Sequence, residues 1–364
     1  MRFSKLSSTS KEPCLGIETN PRSTSVYNHL MKKESLPRPP IALLDLATGY
    51  QRAKTLFALV EFAVPTLLAK GSLTLEEIAR ALRIHQVAAD RFLNACVALG
   101  LLERNANRFR NTQLAENFLV KGKRTYLGDQ LLNYDRTSYP LWIELVRKLR
   151  SWEPGVTDDE TPQPEDQGAT SMRAQHNLAL LIGHALSSIY DFSRHRKMLD
   201  LGGGTGAMSL AICEMHDELR AIIFELPEIA EVARQFIRES DCAARIEIQT
   251  GNFKEDDLPT GFDVALLANL LSVASAETNQ KLFREIYRKL PAEGAIILSG
   301  WILDDARTSP LIPVLFCLED ISWRAPDVER SVSTYCAWLT AAGFVNLEHR
   351  DVATPTSIII GRKK

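Results

Sequence analysis

The chain has no surplus of charge of either sign. Its 43 Lys and Arg stand against 45 Asp and Glu, for a formal net charge of −2. Without a basic face, the phosphate contacts that supply much of nucleic-acid affinity have no source. Also missing are an apolar run long enough to cross a bilayer and, in residues 1–40, the apolar core of a signal peptide. Cysteine occurs at positions 14, 96, 213, 242, 317 and 336, never as C-x-x-C and never in a Cys/His cluster. That excludes the usual zinc and redox motifs and fits free thiols in a reducing cytoplasm. The expectation is a cytoplasmic protein with no metal, no nucleic-acid partner and no membrane.

What is present is ordinary globular composition, 45% hydrophobic and 24% charged over 364 residues, enough for two domains. Residues 1–40 are rich in Ser, Lys, Pro and Thr and read as a flexible tail. Residues 41–150 read as one mostly helical domain, 151–171 as an acidic, Pro-containing linker, and 172–364 as an α/β domain.

In the helical domain, Leu43 to Phe62 places apolar residues at three- and four-residue steps. Thr74 followed by Glu77 is a capping box. A further helix runs from about Gln86 to Leu99, with Gly100 as a left-handed cap. Residues 101–104 and 108–112 then form a small hairpin. Helices followed by a hairpin describe a winged helix, a fold that often binds DNA. Its candidate recognition helix, however, has only Arg91 as a strong cation, beside Asp90, which fits packing or dimerisation better. Leu114 to Leu149 is expected to be helical, as is Met172 to Phe192.

From Lys197 on, strands alternate with helices, as in a mostly parallel sheet. The expected strands are 197–201, 221–224, 246–250, 263–267 and 295–299. Two more, near 344–350 and 356–361, leave no room for a helix between them and must form an antiparallel hairpin at the sheet edge. The first strand runs into Gly202-Gly203-Gly204-Thr205-Gly206 and then a helix, so backbone can approach a nucleotide-like ligand closely. The next strand ends in Glu225, placed to accept from ribose hydroxyls. Taken alone, the loop admits a nicotinamide, flavin or S-adenosylmethionine (AdoMet) site.

The antiparallel ending and several segments resemble the class I AdoMet-dependent small-molecule O-methyltransferases. Asp200 to Gly206 resembles their first motif, Phe224-Glu225-Leu226-Pro227 their acidic turn, Gly251-Asn252-Phe253 their "G-D-x-F" segment, and 338–344 with 357–361 their last helix and strand. The resemblance implies a Rossmann-like methyltransferase sheet preceded by a winged-helix dimerisation domain, and a homodimer. It implies an AdoMet site at Asp200, Gly202, Gly203, Gly204, Glu225, Leu226, Asn252 and Phe253. A small aromatic or polyketide-like acceptor is expected in a pocket containing Asn269, Trp301, Phe316, Asp320 and Trp323.

The chain departs from that family at its catalytic centre. Ser272 and Val273 fall where the family places a His-Asp pair, and Gly300 falls where it places the first supporting glutamate; only Glu329 matches the second. O-methylation usually calls for a base. The candidates here are Ser272, Glu329, and His176 or His184 on the helix before the glycine loop, where position favours His176; His85, His195, His216 and His349 read as surface residues. A substrate needing no strong base fits the pattern. So does a methyltransferase-fold enzyme that keeps AdoMet but catalyses a non-methylating reaction (pericyclase, hydroxylase or decarboxylase type). A ligand-sensing winged-helix regulator is the reading outside enzymology.

Overall fold

The computed structural model describes residues 40–153, 167–323, 331–353 and 355–364. The expected tail, most of the expected linker and Glu329 lie outside these residues, as does the side chain of Trp323. The chain divides into two compact units, residues 1–50 and 51–364. The described part of the first holds helix α1 (Ile41–Ala47) and the first residues of α2 (Gly49–Glu61).

Within the second unit, α3 (Val64–Leu68), β1 (Leu73–Thr74), α4 (Leu75–Leu82), α5 (Gln86–Ala98), β2 (Leu102–Asn105) and β3 (Arg108–Asn111) follow the winged-helix order. The capping box forms as expected. The Thr74 side chain accepts from Glu77 N–H, and the Glu77 carboxylate accepts from Thr74 N–H at 2.7 Å, a motif worth about 1 kcal/mol. Leu59, Ile78, Leu93, Cys96 and Phe109 are fully enclosed and make one core.

The single helix expected over 114–149 is instead α6 (Gln113–Phe118), α7 (Gly128–Asn133), a π-helical turn (Tyr134–Ser138), α8 (Tyr139–Ile143) and α9 (Leu145–Ser151). Gly122, at φ +88°, and Pro140 interrupt the ladder that the apolar spacing alone implies. Long α10 (Gln167–Ile189) then leads to the sheet.

The second domain continues with β4 (Lys197–Leu201), α11 (Ala207–Met215), β5 (Arg220–Glu225), α12 (Pro227–Arg238), β6 (Ile246–Thr250) and β7 (Val264–Ala268). It ends with α13 (Ala276–Lys289), β8 (Ala295–Gly300), α14 (Leu311–Trp323), α15 (Val332–Ala342), β9 (Val345–Ala353) and β10 (Thr356–Arg362). The strand order is β6-β5-β4-β7-β8-β10-β9, with β10 antiparallel to both neighbours. Both faces are covered, which is why the inner strands read as continuous apolar runs. One core packs Leu186, Ile212, Ile223 and Ile237 on one face; the other packs Leu199, Phe283, Leu298 and Leu339. The chain runs outward from β4 to β6 and then returns to β7 on β4's other side. The carboxyl ends of β4 and β7 therefore flank the switch point where such sheets bind ligands.

Candidate active site

At the carboxyl end of β4, Gly202, Gly204 and Gly206 all take positive φ (+64°, +57° and +75°), a region that penalises any Cβ. Gly203 is required for a different reason: a Cβ there would lie 2.8 Å from both Cγ and Oδ2 of Asp200. A Cβ on Gly204 would meet only Met172 Sδ, at 3.4 Å, so this part of the loop borders open space. Glu225, at the end of β5, organises the loop. Its Oε2 accepts from Gly204 N–H at 2.9 Å and its Oε1 from Leu226 N–H at 2.8 Å. On the next strand end, Asn252 closes a turn, its Oδ1 accepting from Lys254 N–H at 3.1 Å, while Asp256 accepts from Asn252 N–H at 2.8 Å. Phe253 packs partly buried against the core beside them.

Asp200 lies under the loop, fully buried. Its Oδ2 accepts from Ser209 Oγ at 2.7 Å, but Oδ1 has no partner. Burial, opposed by the Ser209 bond and reinforced by the Glu225 charge, pushes its pKa up to about 6. An orphaned buried carboxylate oxygen, backbone N–H groups on a glycine loop and an acid at the β5 end suit a ligand with an ammonium group, a carboxylate and a ribose. The residues fit AdoMet.

A second space opens at the end of β7, a cavity of about 390 Å³. Asn269, Ser272, Gly300, Trp301, Phe316 and Asp320 all line it, so the structure brings together the expected pocket residues that it describes. Trp301 and Phe316 stand with ring centroids 4.3 Å apart, tilted by 59°. Ser272 sits on a 3-10 turn, Leu271–Val273, held by buried Asn279, whose Nδ2 donates to Leu271 O at 2.9 Å and Ala274 O at 3.3 Å. Val273, in the place of the family's aspartate, is 55% exposed and lines no part of the cavity. Asn269 holds φ +52°, and its Oδ1 lies 3.1 Å from where a Cβ on Gly300 would stand. A side chain at 300 would require the Asn269 amide to shift by a few tenths of an ångström.

His176 is not among the residues that line this cavity. Its ring is buried on α10, stacked on Phe236 of α12 with centroids 3.6 Å apart, and Nδ1 bonds Thr205 Oγ1 of the glycine loop at 2.7 Å. Burial, with Arg124 nearby, lowers its pKa to about 4. The reading of His195 is corrected. Far from being a surface residue, it is buried, with Nε2 2.8 Å from Tyr190 Oη and Nδ1 3.6 Å from Asp263 Oδ1.

Among the cavity residues that the sequence reading missed are Tyr134, Ser138 and Glu319. The first and last residues of the π-helical turn, Tyr134 and Ser138, are aimed by that turn, and such turns recur at functional sites. Glu319 is the buried one of two acids in an otherwise apolar helix, Leu-Ile-Pro-Val-Leu-Phe-Cys-Leu-Glu-Asp, a signal the sequence did contain. Its Oε2 accepts from Ser138 Oγ at 2.5 Å and from Trp142 Nε1 at 2.7 Å.

Comparison with known proteins bears on this geometry directly. A family model described as an O-methyltransferase domain matches residues 156–345, and one described as an O-methyltransferase dimerisation domain matches residues 44–121. The chain belongs to the O-methyltransferase family. It is 32% identical to the N,N-dimethyltransferase OxyT of Streptomyces rimosus over 85% of this chain and 92% of that protein. It is 29% identical to the 3-hydroxy-5-methyl-1-naphthoate 3-O-methyltransferase of Streptomyces sahachiroi, over 87% and 92%. Human N-acetylserotonin methyltransferase, solved in complex with SAM (AdoMet), superposes with a TM-score of 0.79 at 27% identity, covering 91% of this chain and 99% of that one. The fold is that of the class I methyltransferases, and the cofactor is AdoMet. Among the described residues, no helix is long and apolar enough to cross a membrane.

Proposed function

We propose that this enzyme methylates a hydroxyl of a flat aromatic, polyketide-type natural product, and does so without a side-chain base. The observation that carries the reading is the pairing of an AdoMet cradle with a cavity whose base position holds Ser272. The relatives described above carry methyltransferase names, which favours methyl transfer over the non-methylating alternative. Their names include both oxygen and nitrogen acceptors; the matching O-methyltransferase domain favours oxygen.

In this reading the backbone of Gly202 to Gly204 and the Asp200 carboxylate hold the methionine end of AdoMet, Glu225 and Leu226 the ribose side, and Asn252 with Phe253 the adenine. When bound, AdoMet supplies an electrophilic methyl group on a sulfonium. The chain supplies position. Trp301 and Phe316 hold the ring plane, and Asn269 and Ser272 fix the acceptor hydroxyl by hydrogen bonds. Orienting the two reactants carries much of the rate. An acidic phenol can lose its own proton to water, so no protein group has to titrate. His176 positions the loop, and Glu329 completes the family's second acid position.

The assembly that goes with this reading is a homodimer built on the matched dimerisation domain. Apolar side chains left exposed within it, Phe62, Val87 and Leu114, support a covered surface there. The free thiols at Cys96, Cys213, Cys242, Cys317 and Cys336 suit a cytoplasmic location.

The test is incubation of the full chain with labelled AdoMet and a panel of hydroxynaphthoates, simple phenols and tricyclic phenols, following S-adenosylhomocysteine and the methyl ether together. Stoichiometric appearance of both is expected. Tight AdoMet binding without transfer to any bound acceptor overturns the proposal.

A further inference from the structure

Glu319 is 8% exposed, yet among the described residues no cation partners it. Both of its hydrogen bonds arrive at Oε2, from Ser138 and Trp142, and Oε1 has none. A buried carboxylate with half its lone pairs unused and no counter-charge is costly. No described residue that lines the cavity is Lys, Arg or His. The tilted pair Trp301 and Phe316 also line the cavity, with Tyr134 5.9 Å from Phe316 between centroids.

The cavity thus offers a carboxylate, Glu319, that no described cation partners, and aromatic faces. An ammonium group answers both: it carries three donors and no acceptor, and it is attracted to aromatic faces. We propose that the acceptor molecule carries a basic amine, held as its ammonium form by Glu319, while the aromatic ring that bears the methylated hydroxyl lies against Trp301 and Phe316. This rests on the reading of the cavity as the acceptor site. The amine is a handle for recognition; protonated, it has no lone pair with which to attack a methyl group, so transfer stays at oxygen.

The alternative source of positive charge is AdoMet itself, and the experiment separates the two. Binding of 2-(aminomethyl)naphthalene and of its neutral counterpart 2-(hydroxymethyl)naphthalene is measured by calorimetry at pH 7, on the full chain saturated with S-adenosylhomocysteine. The amine is expected to bind at least about tenfold tighter. In Glu319→Gln, whose amide oxygen still accepts from Ser138 and Trp142, that preference disappears while S-adenosylhomocysteine affinity stays within about twofold. Ser138→Ala, which keeps the charge, retains the preference.

Equal binding of the two probes, absence of amine binding, or a preference that survives Glu319→Gln overturns the inference. A loss confined to cofactor affinity in Glu319→Gln assigns the carboxylate to AdoMet and overturns it too. If the wild-type chain fails to bind S-adenosylhomocysteine at all, the methyltransferase reading falls. If it binds and the amine preference is missing, only the amine handle falls. Should Glu319→Gln not fold, the wild-type comparison of the two probes decides alone.

Discussion

Nδ1 of His176 lies 2.7 Å from Oγ1 of Thr205, so the long helix ahead of the sheet is bonded to the glycine loop that follows β4. The stack on Phe236 fixes the ring plane from the other side. Removing the bond and keeping the ring separates bracing from chemistry. His176→Phe is expected to weaken S-adenosylhomocysteine about fivefold, the worth of one hydrogen bond, with kcat at saturating AdoMet within about threefold. Loss of turnover with unchanged cofactor affinity would make His176 a base.

The same histidine sets a pH dependence of stability. Its pKa is about 4 in the fold against an ordinary 6.5, so between these values the unfolded chain binds the extra proton. Its contribution is complete above pH 6.5 and is lost as pH falls toward 4. Thermal unfolding of His176→Phe should therefore fall less steeply than wild type over that window; parallel curves would contradict the buried, neutral ring.

Asp200 works in the opposite direction. Its pKa is raised from 3.8 to about 6, so the folded chain holds the proton more tightly and this group's stabilisation fades as pH rises from 3.8 through 6. Asp200→Asn should leave the ligand-free protein at least as stable at pH 7, yet weaken S-adenosylhomocysteine at least about tenfold, as loss of a charged hydrogen-bond partner does. A variant that melts early and binds normally would make Asp200 a purely structural acid.

Gly203 and Gly204 should fail differently. Gly203→Ala drives a methyl into Asp200 and should destabilise the fold broadly. Gly204→Ala has room but carries φ +57°, a strain of about 1–2 kcal/mol. It should lower Tm by only a few degrees while placing its methyl in the cradle and weakening S-adenosylhomocysteine at least about tenfold. Calorimetry beside thermal melts reads both effects; wild-type affinity in Gly204→Ala would show that the cradle lies elsewhere.

Ser272→Ala tests catalysis without a base. Loss of one neutral hydrogen bond should cost kcat less than about tenfold, and the pH profile should follow the acidity of the acceptor hydroxyl across a series of phenols. A drop of several orders of magnitude, with a fixed apparent pKa in every acceptor, would make Ser272 part of a working base.

How far the sequence could be read depended on the range of the interactions involved. β4 and β5 were legible because both faces are covered and most of their residues are apolar, and the glycine loop because its φ values tolerate little else. The Thr74 capping box is contained within four residues. The π-helical turn was not legible: 114–149 has helical spacing throughout, and Gly122 and Pro140 mark breaks in it without announcing the type of turn between them. Glu319 and Ser138 are 181 positions apart, and nothing local announces that they meet. His195 looked like a surface residue because one of its partners, Asp263, comes from a distant part of the chain.

The close approach of Asn269 to position 300 makes the two positions one structural unit. A Cβ at 300 would stand 3.1 Å from Asn269 Oδ1, so any side chain placed there obliges the amide beside the cavity to shift by a few tenths of an ångström.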